Sequence, residues 1–232
     1  MKMAVMAEGL IPFVLIKFGE RQFMLDLFEK GIVYMNTVSY FKKLEEDDLR
    51  KDPHEGIASL KQIISVKLKT ESGVVFELTK AGDKPNLNSA QLIEEYPVRG
   101  NLYCMYSISP EWVKKHDRFD PRCVDFGNLE PFMVVIHKPA IFLKRVRDAL
   151  GQLDLSERFG EVKYYDPMAN HDELGMFYKS KKFDYQCEFR IYVEEHENGP
   201  LKLEIGSLKD IAFLVEANEN IVFKFEDIEI SQ

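Results

Sequence analysis

Tyr185-Gln186-Cys187-Glu188-Phe189-Arg190-Ile191-Tyr192-Val193-Glu194 is the stretch on which the reading of the fold turns. Cys187, Phe189, Ile191 and Val193 fall on one side of it, and Glu188, Arg190 and Tyr192 on the other. Alternation of this kind, rich in aromatic and β-branched residues, is a strand signal, because successive side chains leave opposite faces of a pleated backbone. A strand needs partners, so these residues predict a sheet that the end of the chain completes. A carboxylate and a guanidinium in mid-strand either meet water as a surface ion pair or stand in a cleft.

Outward from that stretch, other short apolar runs supply the partners. Phe13 to Phe18 reads as a first strand, Glu20 to Lys30 as a helix stopped by Gly31, and Ile32 to Asn36 as a returning strand. Ile57 to Lys69 and Val74 to Thr79 read as strands joined by a turn at Glu71-Ser72-Gly73, which predicts a hairpin. Residues 42–56 and 80–91 read as loops. Leu102 to Ser107 is a buried strand, followed by a short helix that Ser109 caps and Pro110 opens. Phe132 to His137 is a strand, Pro139 to Leu150 a helix, and Val162 to Tyr165 a short strand. Leu201 to Ile205, Ile211 to Val215 and Ile221 to Phe225 close the series. Strand runs with interspersed helices predict an α+β domain with a mixed, mostly antiparallel sheet over residues 1–232.

The 232 residues are 45% hydrophobic, with 17 Phe and 10 Tyr, which is enough for a core without a disulfide or metal staple. The formal charge of −8 repels phosphate backbones at long range and argues against a general nucleic-acid coat, while leaving room for a local contact. Cys104, Cys123 and Cys187 are an odd set without CxxC spacing, which points to a reducing compartment. With no signal-peptide order at the start and no membrane-length apolar run, the expected location is the cytoplasm.

P-loop, GxGxxG, HExxH and GxSxG signatures are absent, and the five histidines lack helical metal-ligand spacing. Three clusters remain. Glu188 pairs on its strand face with Arg190. Tyr34, Asn36, Thr37, Ser39, Tyr40 and Phe41 form a polar, aromatic turn that is either an ordinary capped turn or a place for a flat heterocycle. Tyr178-Lys179-Ser180-Lys181-Lys182-Phe183 is the dense basic stretch, either a solvated loop or a patch for phosphate or nucleic acid. Asp52, Glu55 and Glu188 would allow a divalent metal and a nuclease, although no spacing demands it.

Taken in order, several segments resemble a large family of bacterial and phage proteins. They are Ile16-Lys17-Phe18, then Gly31-Ile32-Val33-Tyr34-Met35-Asn36, Phe41, and Asp52-Pro53-His54-Glu55-Gly56. The closing motif runs from Phe177-Tyr178-Lys179-Ser180 through Phe183 and Tyr185 to Glu188-Phe189-Arg190. Gln186 stands where the family's closing motif carries a first glutamate, and Phe18-Gly19-Glu20 replaces its Tyr-Arg-Ser opening.

That family's outline is similar to the ADP-ribosyltransferases, which hold NAD in a cleft of a split sheet. The resemblance implies Glu188 as the catalytic carboxylate. Around NAD it implies Lys17, Phe18, Tyr34, Asn36, Ser39 and Tyr40, and beside these Lys179, Lys181, Lys182 and Arg190 are expected to bind substrate. NAD would be a substrate, and no metal is expected. An intracellular toxin or anti-phage effector follows, with an antitoxin or phage protein as partner and no membrane. A non-enzymatic sensor for a nucleotide or phage protein on the same scaffold is the rival.

Overall fold

The computed structural model describes residues 11–43, 56–79, 90–95, 99–123, 131–194, 196 and 199–217. Within them an eight-stranded antiparallel sheet carries the molecule. Its centre is β7 (Asn101–Ile108), an apolar run buried at all but one position. One edge of β7 pairs with β12 (Glu188–Val193) along its length, from Glu188↔Tyr106 to Val193↔Asn101. β9 (Arg158–Glu161) pairs with the far side of β12.

The other edge of β7 takes two strands. β1 (Val14–Glu20) pairs with its end, Val14↔Ile108 to Ile16↔Tyr106, and β2 (Ile32–Thr37) with its start, Asn36↔Leu102 and Thr37↔Asn101. The sheet therefore forks between Leu102 and Tyr106. One arm continues through β8 (Pro131–Ile136) to β14 (Ala212–Glu216), and the other through β13 (Leu201–Glu204). In the fork the Lys17 ammonium donates to the Cys104 carbonyl at 2.7 Å and lies 4.6 Å from the Tyr103 ring centre. A peptide carbonyl that sheds its strand partner there keeps a hydrogen bond, as a buried backbone group must.

Two helices cover one face. α1 (Arg21–Lys30) ends at Gly31, whose φ of 69° and N–H to the Leu27 carbonyl form a left-handed cap. α4 (Pro139–Gly151) buries Phe142, Leu143, Val146 and Leu150. These close over Leu15, Val33, Met35, Met105, Phe189, Ile191 and Val193 in the main core. On the opposite face, α3 (Pro110–Lys115) is capped as its sequence predicts: the Ser109 hydroxyl accepts the Trp112 N–H at 3.4 Å. Trp112 then packs with Ile16, Tyr106, Ile108, Phe119 and Met133.

Several boundaries differ from expectation. The single strand expected over 57–69 divides at Ile64, because its halves take different partners. β3 (Ile57–Ile63) pairs with β6 (Ala90–Glu95), in a region read as loop at its start, while β4 (Ser65–Lys69) and β5 (Val75–Thr79) make the hairpin. The polar turn after β2 is a short helix, α2 (Val38–Lys43), with Thr37 Oγ1 accepting the Tyr40 N–H at 3.1 Å. The late strand begins at Glu188, since Lys181–Gln186 coil into a 3-10 helix that ends at Cys187 with φ 39°. The basic stretch opens with β11 (Tyr178–Ser180), parallel to β10 (Lys163–Tyr165). The strand expected over 221–225, most of the loops at 42–56 and 80–91, and Asp52 and Glu55 lie outside the described residues. No described helix is long and apolar enough to cross a membrane.

Candidate functional site

Glu188 opens β12 at a point where both sheet faces are covered, and its side chain is 6% exposed. A buried carboxylate is tolerated only with partners. Arg190, two residues on and therefore on the same face, donates from Nε to Oε1 at 2.6 Å. Lys179, delivered by β11, donates from Nζ to Oε2 at 3.0 Å and to Gln186 Oε1 at 2.6 Å. Arg190 and Lys179 are themselves 0% and 4% exposed. Burial pushes the Glu188 carboxyl up, but the Arg190 and Lys179 charges together outweigh it and hold the group well below the usual carboxylate range. Among the described residues, the surface ion pair allowed by the sequence is thus a buried triad of Glu188, Arg190 and Lys179.

Of the triad, Glu188 forms part of the wall of a cleft of about 960 Å³. Tyr106, Trp112 and Phe119 make its aromatic side, with Trp112 Nε1 donating to Tyr106 Oη at 2.5 Å. Across from them stand Glu161, Tyr164, Asp184 and Tyr185, and Arg122 lies 3.7 Å over the Tyr185 ring. Tyr164 Oη accepts the backbone N–H of Glu188 at 2.9 Å, tying the cleft wall to the triad. The volume and the mixture of rings with a few polar groups suit a small organic ligand of nucleotide size.

The expected site residues divide. Phe18 does not line the cleft but packs behind two rings that do, 5.4 Å from Phe119 and 6.1 Å from Tyr106. Lys17 fills the fork of the sheet. Tyr34 and Asn36 share the sheet face of Glu188 but lie at the other end of it. Asn36 pairs with Leu102 and Glu188 with Tyr106, on opposite edges of β7. Four residues at ~3.3 Å and two strand spacings at ~4.8 Å put their backbones roughly 16 Å apart. Tyr34 is 52% exposed opposite Lys202, and Tyr40 packs edge-on against Phe41 in α2, which also carries Ser39. The structure does not gather this set around Glu188.

Nor is the basic stretch a single surface. Lys179 is buried in the triad, whereas Lys181 lines the cleft and Lys182 lies exposed over Phe183. Arg190 turns inward to Glu188 and to the Met176 carbonyl. Ser107, Glu161, Tyr164 and Tyr185 are cleft residues that periodicity did not single out. Their one signal is a polar or aromatic residue at the end of a short strand, which is too common to select them.

Among the described residues no three His, Cys, Asp or Glu side chains gather as a metal-binding group. Burial pushes the Cys123 thiol up to about 12, and raises Cys104 and Cys187 as well. Thiolate is the reactive form. Alkylation by iodoacetamide at pH 8 should therefore run at least ~10-fold slower in the native protein than in urea. Equal rates, read by mass spectrometry at each cysteine, would show these thiols to be open and ionisable.

Comparison with known proteins finds no matching family, no matching curated protein and no matching solved structure.

Proposed function

We propose that this chain is an ADP-ribosyltransferase-like enzyme that takes NAD into the cleft beside Glu188. It acts in the cytoplasm as a toxin or anti-phage effector on a protein or nucleic-acid acceptor, with an antitoxin or phage protein as partner. One observation carries the reading: a buried carboxylate, held ionised, stands in the wall of an aromatic-lined cleft of nucleotide size. The forked sheet agrees with it, since β1 and β2 diverge along one edge of β7.

In the transfer, the bond between the ribose C1′ and the nicotinamide nitrogen breaks. Its electron pair leaves with neutral nicotinamide, and C1′ gains positive character. The acceptor's nucleophile then forms the new bond to C1′ and loses its proton. A carboxylate has about four lone-pair positions. Arg190, Lys179 and the Cys104 thiol engage that of Glu188, which brings a negative charge to oppose the developing cation. Rings of the Tyr106, Phe119 and Tyr185 type orient a flat leaving group.

The second reading is nucleotide binding without turnover. It is favoured by the engagement of both Glu188 oxygens and by the distance of Tyr34 and Asn36 from them.

Purified protein incubated with label-carrying NAD and cell lysate should transfer label, and Glu188→Gln should abolish transfer while still binding NAD by calorimetry. NAD binding without transfer by the wild type would select the second reading. An absence of NAD binding would remove both. Nucleic-acid cleavage that needs Mg²⁺ or Mn²⁺ would point instead to a nuclease using Asp52, Glu55 and Glu188.

A further inference from the structure

The cleft holds a second carboxylate whose situation is the reverse of that of Glu188. Glu161 ends β9 on the cleft wall and is exposed. Its Oε1 accepts a short bond, 2.6 Å, from the hydroxyl of Ser107, which is 3% exposed. Glu161 makes no salt bridge among the described residues, and its Oε2 has no partner among them. The carboxylate is therefore aimed by a buried hydroxyl and leaves one oxygen for whatever enters the cleft.

Three residues along the chain, Tyr164 presents a complementary group. Its Oη already accepts the Glu188 N–H, so the phenolic proton is left to donate. Burial, reinforced by the Glu188 charge, keeps that phenol protonated. The start of β12 holds both residues on the cleft wall: Glu161 pairs with Phe189, and the Tyr164 hydroxyl accepts the Glu188 N–H.

The geometry points to Glu161 and Tyr164 as the residues that grip a sugar hydroxyl of the ligand, one accepting and one donating, with Ser107 as the positioning residue for Glu161. A group that serves both must itself donate and accept. An ammonium only donates and a phosphate oxygen only accepts, whereas each hydroxyl of a ribose diol does both. The backbone N–H of Glu188 holds the Tyr164 hydroxyl in place on this wall. The inference rests on the nucleotide reading of the same cleft.

Calorimetric titration of NAD, ADP-ribose and AMP, each beside its 2′-deoxy and 3′-deoxy forms, tests it. Wild-type protein should prefer at least one ribo form over its deoxy form by about 10-fold or more, the scale of a hydrogen bond to a charged group. Glu161→Gln and Tyr164→Phe should each bring that preference close to unity, and Ser107→Ala should reduce it. Thermal unfolding checks that each variant is folded. A ribo preference that survives Glu161→Gln, or no such preference in the wild type, overturns this inference while leaving NAD binding intact. If none of these ligands binds the wild type, the inference and the nucleotide reading fall together. If the wild type transfers no label from NAD but loses its ribo preference in Glu161→Gln, the hydroxyl grip stands and only turnover fails.

Discussion

Replacing Glu188 by Ala is expected to lower the folding free energy by about 3–5 kcal/mol, the scale for removing one member of a buried ion pair. The direction follows from the triad's composition. Among the described residues Glu188 is the carboxylate that both Arg190 and Lys179 contact, so its loss takes a shared counter-charge from two buried cations. Lys179→Met should cost less, because the Glu188–Arg190 pair remains balanced. Urea unfolding of the three proteins gives the order directly, and a Lys179→Met protein as unstable as Glu188→Ala would contradict it.

The same triad sets an acid limit. The folded carboxyl of Glu188 lies below its ordinary value of 4.5, and so the folded state binds this proton less readily than the unfolded state. Its contribution to stability is complete above the unfolded pKa and is lost as pH falls toward the folded one. Glu188→Gln should therefore be much less stable than wild type at pH 7, with the gap narrowing steadily below pH ~4.5. A gap of the same size at pH 7 and pH 3 would mean that this carboxylate does not titrate as its partners require.

Gly31→Ala is the second large effect, expected at about 3 kcal/mol. Two costs add. A side chain at φ 69° takes on left-handed strain of roughly 1–2 kcal/mol. The new Cβ would also sit 2.8 Å from the Gly206 nitrogen and closer still to its carbonyl, an overpacking cost of about 1–3 kcal/mol. The crowding exists because Ile205 donates its N–H to the Gly31 carbonyl at 3.0 Å, which seats the segment after β13 directly on the end of α1. Gly73→Ala separates the two costs, since φ there is 87° with nothing within 4 Å. It should lose only about 1 kcal/mol. For a chain of this size, that difference appears as roughly 4–8 °C in Tm between the two variants. Equal losses would show that strain alone acts at Gly31.

Local chemistry made part of this molecule legible from its residues. Gly31 after Phe28-Glu29-Lys30 stops a helix because it alone takes the left-handed cap without penalty. Ser109-Pro110 starts one because a hydroxyl and a missing N–H suit a first turn. Alternation from Glu188 to Val193 identified the strand and its two faces. Each of these signals spans only a few residues.

What alternation could not say is that both faces are covered. Whether Glu188 meets water or Arg190 and Lys179 depends on β11, nine residues earlier, folding beneath it, and no local pattern encodes that approach. The division of 57–69 at Ile64 likewise came from the choice of β6 as a distant partner. The placement of Tyr34 and Asn36 came from β1 and β2 sharing one edge of β7 at opposite ends. By itself the sequence determined most of the strands and helices, the caps at Gly31 and Ser109 and which side chains of a strand share a face, because backbone sterics and side-chain period act over a few residues. Only the tertiary structure decided which faces meet, and with that the buried triad, the fork and the cleft, because pairing energy between distant strands depends on neighbours that the chain supplies only when it closes.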